Sequence, residues 1–334
     1  MNAPDFWWTV ERTWQSALLS PLSALYGHFA AKRFQYNPRY KAKKPVICIG
    51  NFTAGGTGKT PFAIALNALL KEAGHKPGFL LRGYGGTYKG PLLVEQSKYS
   101  AEEVGDEALL LARKGPTVIC ADRAAGAKLL EKQEISVIIM DDGYQNPSLH
   151  KDYSIVLLDA KTGIGNGKCI PAGPLRMPFK KQLKRVDLLM VVGDGNASCP
   201  QQQGAKTAGI EIEYAAIRPV SADALEGERV LAFAGIGRPE KLFASLRETG
   251  AEVVKSLSFP DHHHFTKEDA RKILSIAEEQ DLLPITTTKD YVRLDGREEP
   301  SIARLANLAS VLEVEMKIAD PDALMERLKL VLAK

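Results

Sequence analysis

The sequence predicts an α/β fold: a mostly parallel sheet with helices on both faces, a smaller C-terminal α/β unit, and an N-terminal amphipathic helix. Three observations predict it. Runs of Val, Ile and Leu such as "PVICIG", "SVIIMDD" and "YSIVLLDA" alternate with helical patterns. Strands that are apolar throughout are covered on both faces, as parallel sheets require. The first run leads directly into a glycine turn and a helix, "NFTAGGTGKTPFAIAL" (51–66). With 334 residues, 45% of them hydrophobic, the chain can also build more than one core.

Taken in order, the chain opens on a basic segment. Met1 to Lys44 holds seven Lys/Arg against Asp5 and Glu11, a net +5, which leaves −1 for the remainder of a total of +4. A uniformly basic nucleic-acid binder is therefore not expected. All three tryptophans, Trp7, Trp8 and Trp14, fall here, followed by "ALLSPLSALYGHFAAKRF". That stretch is too polar, and too interrupted by Pro21, to cross a bilayer, and Asp5 and Glu11 spoil a signal peptide. Tryptophans, leucines and a basic end suit a helix lying in a membrane interface, its cations near anionic headgroups.

Strand 45–50 then feeds the loop, and helix 61–74 is opened by Pro61 and closed by Gly74. "GFLLRG", "PTVICA" and "DLLMVVG" read as further buried strands, "GDGNASCPQQQGAK" (193–206) as a loop, and "GIEIEYAAIRPV" as a half-exposed strand. From Arg229 a second strand and helix series begins. The expected division is a helical segment 1–44, a core 45–225 and a smaller unit 226–334 closing the cleft. Cys48, Cys120, Cys169 and Cys199 match no metal spacing and read as reduced thiols.

The glycine turn carries the chemistry. Strand, Gly55-Gly56-Thr57-Gly58-Lys59-Thr60, then helix is the setting of a phosphate-binding loop, so the sheet is P-loop nucleoside triphosphate hydrolase-like. Its N–H groups and helix N-terminus suit phosphate oxygens, Lys59 the β/γ-phosphates, and the Thr60 hydroxyl Mg²⁺. Thr53 stands where the pattern has its first glycine. "SVIIMDDGYQN" resembles a Walker B strand, with Asp141 or Asp142 near the metal. Asp106 and Glu107 open a helix, where acids also complement the dipole. In "FPDHHHFT" one histidine is suited to orient a carboxylate; three in a row do not suit one metal. Arg82, Arg123 and Arg176 lie in Gly-rich or turn segments that suit anions. On these residues alone a membrane-surface ATPase switch or a nucleotide-binding adaptor stays open. A GTPase is disfavoured, because no N-K-x-D motif is present.

Together "GNFTAGGTGKTP", "RGYGG", "VGDE", "ADR", "DDGYQN", "GNGKCIPAGPLR", "FPDHH" and "TTTKD", in order from Gly50 to Asp290, resemble the tetraacyldisaccharide 4'-kinase family. That family's loop often lacks the entry glycine too. The resemblance implies transfer of the ATP γ-phosphoryl group to the 4'-hydroxyl of a tetraacylated disaccharide 1-phosphate, giving lipid IVA, with Mg²⁺ as cofactor. It implies Thr53, Ala54, Gly55, Gly56, Thr57, Gly58, Lys59 and Thr60 at the nucleotide, and Thr60, Glu107, Asp141, Asp142 and Gln145 near the metal. Asp106 matches the general base and His262 its partner, with His263 the alternative in "DHHHF". Arg82, Tyr84, Arg123 and Arg176 resemble substrate- or nucleotide-facing positions. The implied setting is the cytoplasmic face of the inner membrane, peripheral or monotopic, on anionic lipids. Neither a nucleic acid nor an obligate protein partner is expected.

Overall fold

The computed structural model describes residues 3–9, 11–193, 200–220 and 222–333. Its strands are β1 (Val46–Asn51), β2 (Pro77–Leu81), β3 (Leu92–Leu93), β4 (Thr117–Ile119), β5 (Val137–Asp141), β6 (Tyr153–Asp159), β7 (Leu188–Val192), β8 (Glu211–Pro219), β9 (Arg229–Ala234), β10 (Glu252–Ser258), β11 (Leu283–Thr287), β12 (Ser310–Leu312) and β13 (Val314–Ile318). Nine form one sheet in the order β13-β8-β7-β6-β1-β5-β2-β4-β3, and four form a second, β10-β9-β11-β12. The second is parallel throughout; the first is parallel except at its edges, where β13 and β3 run antiparallel to their neighbours.

The predicted two-sided burial is what the packing shows. Every residue of β1 is buried. Ile47 and Ile49 enter one core with Phe62, Leu66 and Leu70 of helix Lys59–Glu72. Val46 and Cys48 enter the opposite core with Leu80, Ile138 and Tyr144. Alternation along a strand sends neighbours to opposite faces, so an unbroken apolar run needs a helix layer on each. The smaller sheet repeats this with Leu231 and Phe233 against Val230 and Ala232.

Two expectations are corrected. The stretch 193–206 is not all loop: helix Pro200–Thr207 occupies its end, burying Gln202 and Ala205. Pro at the first helical position and the Gln/Ala/Lys content favour it; residues 194–199, with Cys199, lie outside the described residues. The second unit also does not run to the C-terminus as a separate body. The chain enters it near residue 225, but β13 returns to pair with the free edge of β8, and helix Pro321–Leu332 sends Leu324 and Leu328 into the core beneath Phe62 and Leu66. An exposed strand edge is a liability, and the return covers it.

The N-terminal helix, Trp14–Phe34, is continuous through Pro21 and capped by the Thr13 hydroxyl on Ser16 N. No helix among the described residues is long and apolar enough to cross a membrane. Its faces are reversed from those of an ordinary surface helix. Ser16, Ser23, Gly27 and Ala31 point inward, while Trp14 (72% exposed), Leu18 (70%), Leu22, Leu25 and Phe29 (60%) point outward. The inner face docks on the loop after β6: Ser16 Oγ donates to Ala172 O at 3.0 Å, Ser23 Oγ to Cys169 O, and Lys168 Nζ to Ser20 Oγ at 2.8 Å. Trp7 and Trp8 do not share that outer face. Both are half-buried; Trp7 Nε1 donates to Pro171 O at 3.0 Å.

Candidate active site

The carboxyl ends of the central strands meet the second sheet across a cleft of about 1920 Å³. Ligands of open α/β sheets bind at this end.

At its floor lies the loop after β1. Gly55 (φ +118°) and Gly58 (φ +84°) supply its left-handed turns. Thr53 needs none. It is buried, bridges Leu175 in antiparallel fashion, and its carbonyl accepts from Arg176 Nε at 3.2 Å. Ala54 N donates to Pro174 O at 2.8 Å. The missing entry glycine is therefore a residue in extended backbone, backed by a second loop. Lys59 and Thr60 open the following helix.

Asp141 ends β5 and Asp142 leaves it at φ +47°, a conformation Asp tolerates. Strand alternation would have split the two; the turn lets both line the cleft. Asp142 is held by Arg176 (3.1 Å to each carboxylate oxygen) and faces Lys59 Nζ at 3.8 Å. Burial would raise its pKa, but Lys59 and Arg176 outweigh that and hold it well below the usual carboxylate range. Asp141 is fully buried with Oδ1 unpartnered. Burial first, then the Glu107 charge, push it up to about 7. The orphaned, desolvated Asp141 Oδ1 and the Thr60 hydroxyl line the same cleft, and hard oxygens of this kind fit Mg²⁺. Among the described residues no three His, Cys, Asp or Glu side chains converge as a metal cluster.

On the same unit, Asp106 occupies the first turn of helix Asp106–Ala112 at 3% exposure. Oδ1 accepts from Glu107 N at 2.9 Å; Oδ2 is bound by Arg293 and lies 3.5 Å from His262 Nδ1. Burial raises its pKa, but the His262 hydrogen bond, Lys289 and Arg293 reverse the sign and leave it far below normal. His262, itself at φ +58°, is raised in turn, chiefly by the bond to Asp106. Tyr84, on the exposed loop after β2, packs its ring 5.1 Å from the His262 ring.

The three histidines part company. His262 takes Asp106; His263 binds Asp269 Oδ2 at 2.9 Å and stacks on Phe259; His264 lies 3.5 Å from Glu102 at the surface. Two other expected positions line the same cleft and are held by protein partners. Gln145 commits its amide nitrogen to Asn51 O (2.7 Å) and Gln182 Oε1, so it braces the loop strand. Glu107 is ion-paired with Lys289 at 2.6 Å. Arg123 is buried, with one N–H on Cys120 O at 2.7 Å and Nε unpartnered; Arg82 is exposed on the cleft wall.

With this geometry in hand, comparison with known proteins is decisive. The family model described as tetraacyldisaccharide-1-P 4'-kinase matches residues 15–333. The chain belongs to that family. It is 47% identical over 332 residues to the tetraacyldisaccharide 4'-kinase of Methylobacterium nodulans, covering 99% of this chain and 96% of the relative. It is 45% identical over 322 residues to that of Agrobacterium fabrum, covering 96% and 92%. A crystal structure of LpxK from Aquifex aeolicus, described as an "apo" form in complex with ATP, superposes with a TM-score of 0.73 at 29% identity, over 96% of this chain and 100% of that one. The kinase expectation and the fold class are thereby borne out.

Several residues of this kinase's site lie outside the sequence expectation. Lys289 and Arg293 come from the strand end at "TTTKD" and beyond it, and Asp159, at the end of β6, is bound by Lys241 at 2.8 Å and Arg238 at 3.5 Å. The Arg238 guanidinium also covers the Trp8 ring at 4.7 Å. A charged residue directly after an apolar strand was the available signal for Asp159.

Two outcomes follow for this site. Thr53→Gly adds backbone freedom to an extended, bridged residue, so it should lower stability by about 1 kcal/mol and leave nucleotide affinity no better. Urea denaturation and nucleotide titration check both; tighter binding would contradict the assignment. The second concerns pH. The raised His262 draws its full stabilisation below its unfolded pKa of about 6.5 and loses it as pH rises through the higher folded value; the depressed Asp106 contributes above about 3.9 and loses it as pH falls. The stability gap between the wild type and His262→Ala should be widest near pH 5 to 6 and narrow by about pH 9. A gap independent of pH, in urea melts, would disprove the pairing.

Proposed function

We propose that this kinase moves the γ-phosphoryl group of ATP to the 4'-hydroxyl of a tetraacyldisaccharide 1-phosphate, with Asp106 accepting the hydroxyl proton and His262 orienting it. The observation that carries this reading is that His262, which lines one cleft with Lys59, Thr60 and Asp142, lies 3.5 Å from the buried Asp106 carboxylate just behind the cleft wall. Residues Thr53 to Thr60 hold the phosphates by backbone N–H groups, the helix N-terminus and the Lys59 ammonium. Thr60, Asp141 and Asp142 are the residues suited to Mg²⁺, which when bound neutralises phosphate charge. Glu107 and Gln145 stand behind them, on Lys289 and Asn51. Arg82, Arg123, Arg176 and Tyr84 face the transferred group and the acceptor sugar.

The two sheets act as the cleft's two jaws, so the unit entered near residue 225 completes the site only when docked. A carboxylate ionised by its neighbours and held at fixed distance supplies orientation and a proton acceptor, which is most of what phosphoryl transfer asks of a protein.

The outward apolar face of helix Trp14–Phe34, ending in Lys32 and Arg33, supports attachment to an anionic membrane surface, where the acceptor's acyl chains reside.

Both readings have direct tests. With γ-labelled ATP, Mg²⁺ and tetraacyldisaccharide 1-phosphate in detergent, Lys59→Ala should abolish lipid labelling, and Asp106→Asn and His262→Ala should each slow it by about 10²–10³-fold. Turnover within about twofold of wild type in both would remove the dyad. For the helix, Leu18→Asp with Leu22→Asp should cut sedimentation with vesicles containing anionic lipid; unchanged sedimentation would remove the membrane reading.

A further inference from the structure

Arg293 has no part in the reading above, yet it is among the most constrained side chains of the site. It is almost wholly buried. One terminal nitrogen donates to Asp290 Oδ1 and to Gly235 O, both at 2.8 Å; the other binds Asp106 Oδ2. Asp290 is fully buried and is itself anchored: Oδ1 accepts from Gly235 N at 3.0 Å and Oδ2 from the Thr287 hydroxyl at 2.7 Å. The same Gly235 carbonyl accepts the backbone N–H of His262 at 2.9 Å. Thus one carbonyl after β9 locates both groups that reach Asp106 Oδ2, the guanidinium and the imidazole. A planar guanidinium with several donors in fixed directions is suited to this bridging; an ammonium is not.

We propose that Arg293 is a positioning residue for phosphoryl transfer: anchored by Asp290 and Gly235, it fixes the Asp106 carboxylate and His262 in one mutual geometry when the second sheet docks. This rests on Asp106 being the proton acceptor. It predicts a loss in turnover out of proportion to any loss in nucleotide binding, because Arg293 lies behind Asp106 and reaches the reacting atoms only through it.

The test is a double-mutant cycle on the full chain in the labelled-ATP assay, with kcat and KM for ATP read separately and thermal melting recorded for each variant. Arg293→Lys keeps the charge and loses the fork; Asp290→Asn loosens the anchor without touching Asp106. Each should lower kcat by about tenfold or more, with KM for ATP within about twofold. In an Asp106→Asn background, Arg293→Lys should cost less than about threefold further, since the group it positions is already gone. Guanidinium ion should partly restore Arg293→Ala and leave Asp106→Asn unchanged. Full kcat in both Arg293→Lys and Asp290→Asn would overturn the proposal, as would losses that multiply in the double variant. Should Arg293→Ala fail to fold, the Lys and Asn variants carry the cycle. Full turnover in Asp106→Asn alone is a different result, and sinks the base assignment itself.

Discussion

A single buried carboxylate governs how the two sheets meet. An isolated ionised Asp106 inside the protein would cost several kcal/mol in lost hydration. Its compensation comes from two directions. The helix it opens contributes a backbone N–H and the positive end of its dipole. Arg293, His262 and the nearby Lys289 contribute the remainder, and all three belong to the second unit. The ionised carboxylate and the docked cleft therefore require one another. The surface pairs along the same seam, Arg113–Asp295 and Arg297–Glu102, are exposed and contribute little each. The buried cluster sets the register of docking.

The opposite side of the cleft is built by a different device. The loop 165–178 touches nearly everything there. Its carbonyls take the serines of the N-terminal helix, Pro174 and Leu175 brace Ala54 and Thr53, and Arg176 grips Asp142. A helix that keeps small, hydroxyl-bearing residues inward can approach a loop closely enough to bond its carbonyls. Its large residues are then left facing out. The reversed amphipathicity is thus one arrangement seen from two sides: close docking within, and an exposed apolar stripe without. Trp8, against Arg238, ties the start of the same segment to the second unit.

How much of this was legible in the sequence depends on how local each feature is. The phosphate loop, the strand ending at Asp141 and the alternating helices and strands are written in adjacent residues, and the structure has these elements where the sequence places them. The orientation of Asp141 and Asp142 was not, because it rests on a left-handed turn at Asp142 that strand alternation does not foresee. From the residues alone the choice among the three histidines was equally hidden, and only the family resemblance named His262, with His263 the alternative: the φ of +58° at His262 and the cap at Asp269 send neighbours to different partners. Arg293 and Lys289 resemble any solvated cations in sequence; only the packing of β11's end against the Asp106 helix gives them their place. The return of β13 to the first sheet is a pairing across nearly a hundred residues, and short apolar strands carry no mark of which sheet they join.

On the proposed reading Asp106 is the base, and a carboxylate with so low a pKa looks poorly suited to removing a proton from a sugar hydroxyl. The objection weakens when the transfer itself is considered. In a loose phosphoryl-transfer transition state, the nucleophile carries little new bonding, so its proton need not leave early. What the acceptor needs first is a fixed direction of approach, and a permanently ionised, doubly tethered carboxylate gives one. A raised pKa would have served proton affinity at the expense of that fixity, since a carboxyl that spends part of its time protonated is a donor as well as an acceptor. On the proposed reading, the cations around Asp106 are therefore not a hindrance to be displaced. They keep the carboxylate in the one protonation state, and His262 in the one orientation, that the acceptor hydroxyl can use.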